Sequence, residues 1–265
     1  MKTKTYGLQN ETRQYLRRLY AYGRELRGAD VADLDDFVKG LKQLGLWGNT
    51  VCWPMRSIHN IGTGSRVLAL GGYNRNYDGT MMNSMAWGTN GMVKANATDH
   101  ILLDGSSFLK PMPFSLFLCF KANTIAANQN LVVCSAGGVT GSYYVLNLDN
   151  ITSKQFYIAM SRGSVMYYPT VANPTGREQL YNFFSATETP TTHQQEFNGT
   201  AGSVATGLAT YNPVGVARPN IGGLNVDTRG VFPFLMLTNT NTPMALHTNL
   251  YALYKTTIGK NLGLI

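Results

Sequence analysis

Charge is scarce in this sequence: Asp, Glu, Lys and Arg make up only 14% of its 265 residues. That is too little to solvate the outer faces of many long helices. Long hydrophobic runs are missing too, with nothing near the about 20 consecutive apolar residues that carry a helix across a bilayer. The densest run, Phe114 to Phe120, has strand length and reads as a buried strand. Membrane insertion is therefore not expected. Cys52, Cys119 and Cys134 are odd in number and lack the paired spacing of a disulfide framework or a zinc site. They are expected as buried free thiols, which suits assembly in a reducing cytoplasm. Behind the basic start Met1 to Gly7 there is no apolar stretch, so the pattern is not that of a cleaved secretory signal.

What the chain does have is 28 Gly, 15 Tyr and recurrent Asn and Thr, a balance that favours strands and tight turns. The net charge of +8 is uneven: Lys2, Lys4, Arg13, Arg17, Arg18, Arg24 and Arg27 against Glu11 and Glu25 put +5 of it before residue 30. A basic segment on a near-neutral body predicts docking to an acidic protein surface, or loose nucleic-acid contact of that segment, and no dedicated nucleic-acid site.

Between Glu11 and Arg27, Tyr15, Leu19, Tyr22 and Leu26 recur at four, three and four, one stripe of an amphipathic helix ending near Gly28. This stripe, flanked by Arg17 and Arg18, fits either an attachment and self-association seam or packing of two helices on each other. A second helix is predicted from the Asp30 cap through Leu34, Phe37 or Val38, Leu41 and Leu44, closed by Gly45.

From Val51 on, short apolar runs alternate with Gly, Asn, Pro and Thr clusters. Strands are predicted over 114–122, 130–135, 142–148, 155–160, 165–168, 179–185 and 232–238. Asn198-Gly199 is the strongest tight-hairpin signal, with Asp78-Gly79 and Asp104-Gly105 as further turn candidates. Many short strands at this spacing argue for a sandwich. Thr242-Pro243 and the face of Leu246, Leu250, Leu253 and Ile258 predict a closing helix, a strand over 250–254 being the alternative. Two units are expected: a helical segment over 1–48 and a β-body over 49–265.

The segment Phe37-Val38-Lys39-Gly40-Leu41-Lys42-Gln43-Leu44-Gly45-Leu46-Trp47, then Leu68-Ala69-Leu70-Gly71-Gly72-Tyr73-Asn74, Trp87 and Gly91, resembles proteins encoded by tailed phages and related viral genomes. So do Ile221-Gly222-Gly223, 234–239 and 250–259 near the end. In that family a short helix leads into a concanavalin A-like, laminin G-like jelly roll. The resemblance covers about residues 34 to 265 and implies a two-sheet antiparallel sandwich on a virion, as tail fibre, adhesion appendage or capsid decoration. Implied with it are other virion proteins as partners, a homo-oligomer, assembly in the host cytoplasm and a possible host-surface glycan.

Some relatives of that fold are glycosidases, whose general acid and partner carboxylate stand about 5 to 10 Å apart. None of Asp78, Asp99, Asp104, Asp149, Glu178, Glu188, Glu196 and Asp227 forms the Glu-x-Asp-x-x-Glu pattern of the laminarinase relatives, so no enzyme is expected. Gly62-Thr63-Gly64-Ser65 lacks the nucleophile elbow and reads as a turn. His59, His100, His193 and His247 have no ligand spacing, and no cofactor or metal is expected; calcium at Asp149 and Asp227 is the resemblance's weaker implication. Sugar binding has chemical content, because sugars stack on aromatic rings beside hydrogen-bonding side chains. Tyr143, Tyr144, Tyr167, Tyr168 and Trp87 are its candidates; one tyrosine of each pair belongs to the core, and core packing is the plain reading of Trp87, Trp47 and Trp53.

Overall fold

The computed structural model describes residues 7–72, 77–103, 114–124, 129–135, 143–148, 156–162, 165–167, 180–189, 191–202, 204, 206, 220–221 and 229–265; between 129 and 167 it defines backbone and strand register. Two helices come first, α1 (Asn10–Ala21) and α2 (Ala29–Gln43), and a third, α3 (Met244–Thr256), closes the described chain. Between them run β1 (Thr50–Pro54), β2 (Arg66–Val67), β3 (Leu70–Gly71), β4 (Gly79–Met82), β5 (Ala86–Gly88), β6 (Gly91–Lys94), β7 (His100–Leu103), β8 (Phe114–Thr124) and β9 (Gln129–Ser135). Then follow β10 (Tyr143–Leu148), β11 (Phe156–Arg162), β12 (Val165–Tyr167), β13 (Asn182–Glu188), β14 (His193–Phe197), β15 (Thr200–Ala201), β16 (Asn220–Ile221) and β17 (Arg229–Thr238).

The strands form two antiparallel sheets. The first runs β15-β14-β13-β8-β17-β1-β3, with the β5–β6 hairpin joined to β17; the second runs β12-β11-β10-β9-β16-β7-β4-β2. The expected mainly-β sandwich with two leading helices is the observed architecture.

Strand alternation explains the apolar run at Phe114 to Phe120. On β8, Leu116, Leu118 and Phe120 enter the core between the sheets with Val51, Trp53, Ile101, Ile221, Leu235 and Leu237. Phe117 and Cys119, one residue out of phase, enter a second core with Phe183, Phe234, Met236 and the helices. The first sheet is thus buried on both faces, and both kinds of position are apolar. The second core includes Tyr15, Leu19 and Leu26 from the first 28 residues and Leu34, Phe37 and Leu41 from α2. Described residues on both sides of position 48 contribute to this cluster.

Local chemistry fixes the helix ends. α1 stops at Ala21, well before Gly28, because Gly23 turns at φ +75°. Leu26 then returns to the core from the connection, while Tyr22 is left 49% exposed. α2 begins with Gly28, not Asp30, at its N-cap, and Gly45 at φ +71° ends it as expected. α3 is the expected closing helix, its arriving chain fixed in extended geometry at Pro243, and the strand alternative over 250–254 is not adopted. Asn198 and Gly199, both at positive φ, make the β14–β15 hairpin as expected. Asp78-Gly79 is not a hairpin turn: Gly79 opens β4, and the buried Asp78 carboxylate pairs with Arg18 and Arg66. Asp104-Gly105 lies outside the described residues.

Candidate functional site

Pro233 has no N–H to give a neighbouring strand, and the β8–β17 register shifts between Val231 and Phe234. Beside this bulge β6 pairs with β17, and Gly91 lies so close that a Cβ on it would sit 2.6 Å from the Phe232 carbonyl carbon, at φ +147°. Only glycine admits that approach. The β5–β6 turn, Thr89-Asn90, is thereby held at the edge of the first sheet's helix-covered face.

Arg56, two residues beyond β1, binds this turn to the C-terminal segment. Its Nε donates to the Thr89 carbonyl at 3.3 Å, and its Nη1 donates to the carbonyls of Ile258 and Lys260, each at 2.9 Å. The residue is 4% exposed. Antiparallel pairing of Asn182 with Phe120 brings Tyr181 beside Lys121 at the end of β8. The Lys121 ammonium lies 5.5 Å from the centroid of the Tyr181 ring, and the Asn90 side chain is near enough to the Tyr181 hydroxyl to favour its ionised form. Partial burial raises the pKa of that hydroxyl above its ordinary value, Cys119 adds to the shift, and Asn90 and the Arg56 charge oppose it. Tyr181 and Lys121 are both half-buried, and Leu180 beside them is exposed. This corner therefore combines an accessible aromatic ring, an amide, a hydroxyl and two cations.

The sequence-derived candidates fall elsewhere. The Trp87 Nε1–H donates to the Gly64 carbonyl at 2.9 Å, and the residue, partly buried, packs against both cores. Register sets Tyr144 opposite Met160 and Met160 opposite Tyr167, one row across β10, β11 and β12. By alternation that row continues the face of Leu146, which stands opposite Val132, itself opposite the core residue Ile221. Tyr143, paired with Ser135, falls on the other face. Tyr168, Asp149 and Asp227 lie outside the described residues. Tyr181 was not among the sequence candidates, because nothing local distinguishes it: its site is assembled from residues near 56, 90, 121 and 260.

The helical stripe is already occupied. Tyr15 and Leu19 are fully buried and Leu26 is 4% exposed, so they are interior contacts and not a seam. Arg18 donates to the Ala69 carbonyl at 2.8 Å and pairs with Asp78, pinning α1 to the sandwich. Of the proposed attachment residues only Arg17 and Tyr22 are exposed. Reading Tyr15, Leu19, Leu26 and Arg18 as docking residues is thus corrected: their partners are in their own chain.

Three constellations that could suggest catalysis prove architectural. The His247 Nε2–H donates to the Thr242 carbonyl at 3.0 Å, and the Ser185 hydroxyl, 2.8 Å from Nδ1, donates to that nitrogen. Burial pulls the pKa of His247 down to about 3, but Ser185 and His247 are both fully buried, out of reach of a substrate. Glu196 accepts from the Thr248 hydroxyl at 2.8 Å and is pushed up in pKa by burial under α3. Asp99 accepts the backbone N–H groups of Ser84, Ala95 and Asn96, an internal loop brace. No group of three or more His, Cys, Asp or Glu among the described residues could hold a metal. Cys52 and Cys119 are buried free thiols, burial pushing the Cys52 thiol well up in pKa and the Cys119 thiol to about 12, so direction and setting agree with inert core residues. No described helix is long and apolar enough to cross a membrane.

No family model matches the chain, and no curated protein does. Solved structures do share its fold. A Trypanosoma rangeli sialidase superposes with a TM-score of 0.62 at 14% identity, over 87% of this chain and 40% of that one. The binding domain of botulinum neurotoxin serotype D gives 0.58 at 10% identity, over 78% and 52%. The binding domain of botulinum neurotoxin DC, solved with rat synaptotagmin II, gives 0.60 at 6% identity, again over 78% and 52%. The chain spans about half or less of the length of these structures, and at such identities the likeness is one of fold.

Proposed function

We propose that this chain is a carbohydrate-binding β-sandwich module that acts without hydrolysing its ligand, and that the Tyr181 corner seats the sugar. The observation that carries the reading is the half-exposed Tyr181 ring with Asn90, Lys121 and Arg56 around it. A ring supplies the stacking surface and the amide and ammonium supply directional hydrogen bonds, the combination that pyranose recognition needs. Its fold neighbours support it, since one is a sialidase also solved with sialic acid, at a TM-score of 0.62. The test is a glycan array probed with the wild-type chain and with Tyr181→Ala. Retained folding with lost binding is the expected result; an array blank for both proteins, or unchanged by the substitution, rejects the site.

The setting we propose is the surface of a phage particle assembled in the host cytoplasm, with other virion proteins and further copies of this chain as neighbours. Its support is the sequence resemblance over residues 34 to 265, and the exposed Arg17 and Tyr22 are what remains of the helical segment for docking. Labelling purified particles with an antibody to this chain checks it; particles without label reject the setting while leaving sugar binding untouched.

A further inference from the structure

We propose that the saccharide taken at the Tyr181 corner is acidic, bearing a carboxylate; this rests on the carbohydrate reading above. Several described cations lie against carboxylates: Arg18 and Arg66 on Asp78, Lys39 on Asp35, Lys42 on Glu11, Lys260 on Asp33. Others meet a carbonyl or a ring, as Arg24 meets Ser57 and Lys255 meets Tyr251, and at this corner two cations of that second kind stand together beside an accessible ring. Arg56 is met by main-chain carbonyls of Thr89, Ile258 and Lys260, neutral dipoles that satisfy its N–H groups and leave its charge uncancelled. Among the described residues its Nη2 has no acceptor. Lys121 has the face of the Tyr181 ring and, among the described residues, no carboxylate.

A cation held at 4% exposure with no counter-ion among the described residues is costly, and a fold that keeps one beside an accessible ring leaves the counter-charge to be supplied from outside. The two cations divide the work. Lys121, partly exposed, meets the ligand's carboxylate directly. Arg56 stays behind as a fixed charge, near enough to Tyr181 to act on its hydroxyl, and its field is strengthened by the apolar surroundings of Cys119 and Tyr254. Stacking on Tyr181 holds the sugar, and the charge selects which sugar.

The experiment is calorimetric titration of the whole chain with sialyllactose, its methyl ester, trigalacturonic acid and lactose. The expected result is an acid bound roughly tenfold more tightly than its neutral counterpart, about 1.4 kcal/mol, a margin that shrinks as salt is raised. Whether sialyllactose or trigalacturonic acid shows the effect identifies the acid's source as a sialylated or a uronate glycan. Lys121→Gln, at a partly exposed position, is expected to keep the melting temperature and erase the margin. Ester and lactose binding as tightly as the acids, or a margin untouched by Lys121→Gln, overturns the acidic preference and leaves sugar binding standing. Binding by none of the probes overturns both.

Discussion

One face of the first sheet is built in two ways. Over Phe117, Phe183, Phe234 and Met236 it is roofed by the three helices, and polar groups beneath are tied to one another, as Ser185 is to His247. The roofed part includes Ser115, whose hydroxyl lies 3.0 Å from Thr187 Oγ1 and accepts the Thr242 N–H at 3.0 Å. At Lys121 and Tyr181 the roof ends, and two cations stand without a carboxylate among the described residues. Closed polar networks fix a structure; an open excess of one charge on a rigid rim is an offer to a ligand.

The comparison can be broken most forcefully by deleting residues 1–28. This strips Tyr15, Leu19 and Leu26 from the roofed core, at about 1.5 to 3 kcal/mol each, and Arg18 from Asp78. The expected product has no cooperative melting transition; a truncated chain that melts like the full one would show that the roof is dispensable.

Acid comes next. His59, whose carbonyl accepts the Tyr15 hydroxyl at 3.1 Å, and His247 are both pulled to about 3 by burial, with Arg56 adding to the shift at His59. The fold binds their neutral forms, so their contribution is complete above the unfolded value near 6.5 and is lost as pH falls from there toward 3. By pH 5 the loss amounts to about 2 kcal/mol per histidine. Chemical denaturation across that window is expected to lose stability steadily, and His59→Leu should flatten about half of the decline.

Ser185→Ala tests a single link of the closed network, removing the donor to His247 Nδ1. About 1 to 2 kcal/mol of destabilisation is expected in a urea titration, with sugar binding unchanged. Lys121→Gln is the reverse case and the smallest in stability, roughly 0.5 kcal/mol or less. If it instead destabilises as much as Ser185→Ala, the rim is structural and the contrast fails.

Much of the fold was legible because periodicity reports burial directly. The strands over 130–135, 142–148, 155–160 and 165–168 match β9 to β12 within two residues. Phe232 to Thr238 was shorter than β17 because Gly230 and Pro233 interrupt the pattern and the strand continues through a bulge. Residues 179–185 were placed three residues early, since Leu180 and Tyr181 have strand-like composition but lie before Asn182, where pairing with β8 begins. The stripe from Tyr15 to Leu26 was correctly read as apolar, yet its partner was another matter: packing against a sheet and docking to a foreign surface demand the same spacing. The candidate site was illegible for a different reason. Its parts come from four distant stretches, and a missing carboxylate partner cannot be seen until the neighbours are known.

Arg56 also imposes an order on synthesis. Its acceptors at Ile258 and Lys260 lie 202 and 204 positions further along the chain. At ordinary ribosomal speeds the guanidinium waits roughly 10 to 40 s for them to be made. Until then Arg56 lacks the acceptors that tie the Thr89-Asn90 turn to the C-terminal segment, so the corner proposed to seat the sugar can assemble only after residue 260 has been made.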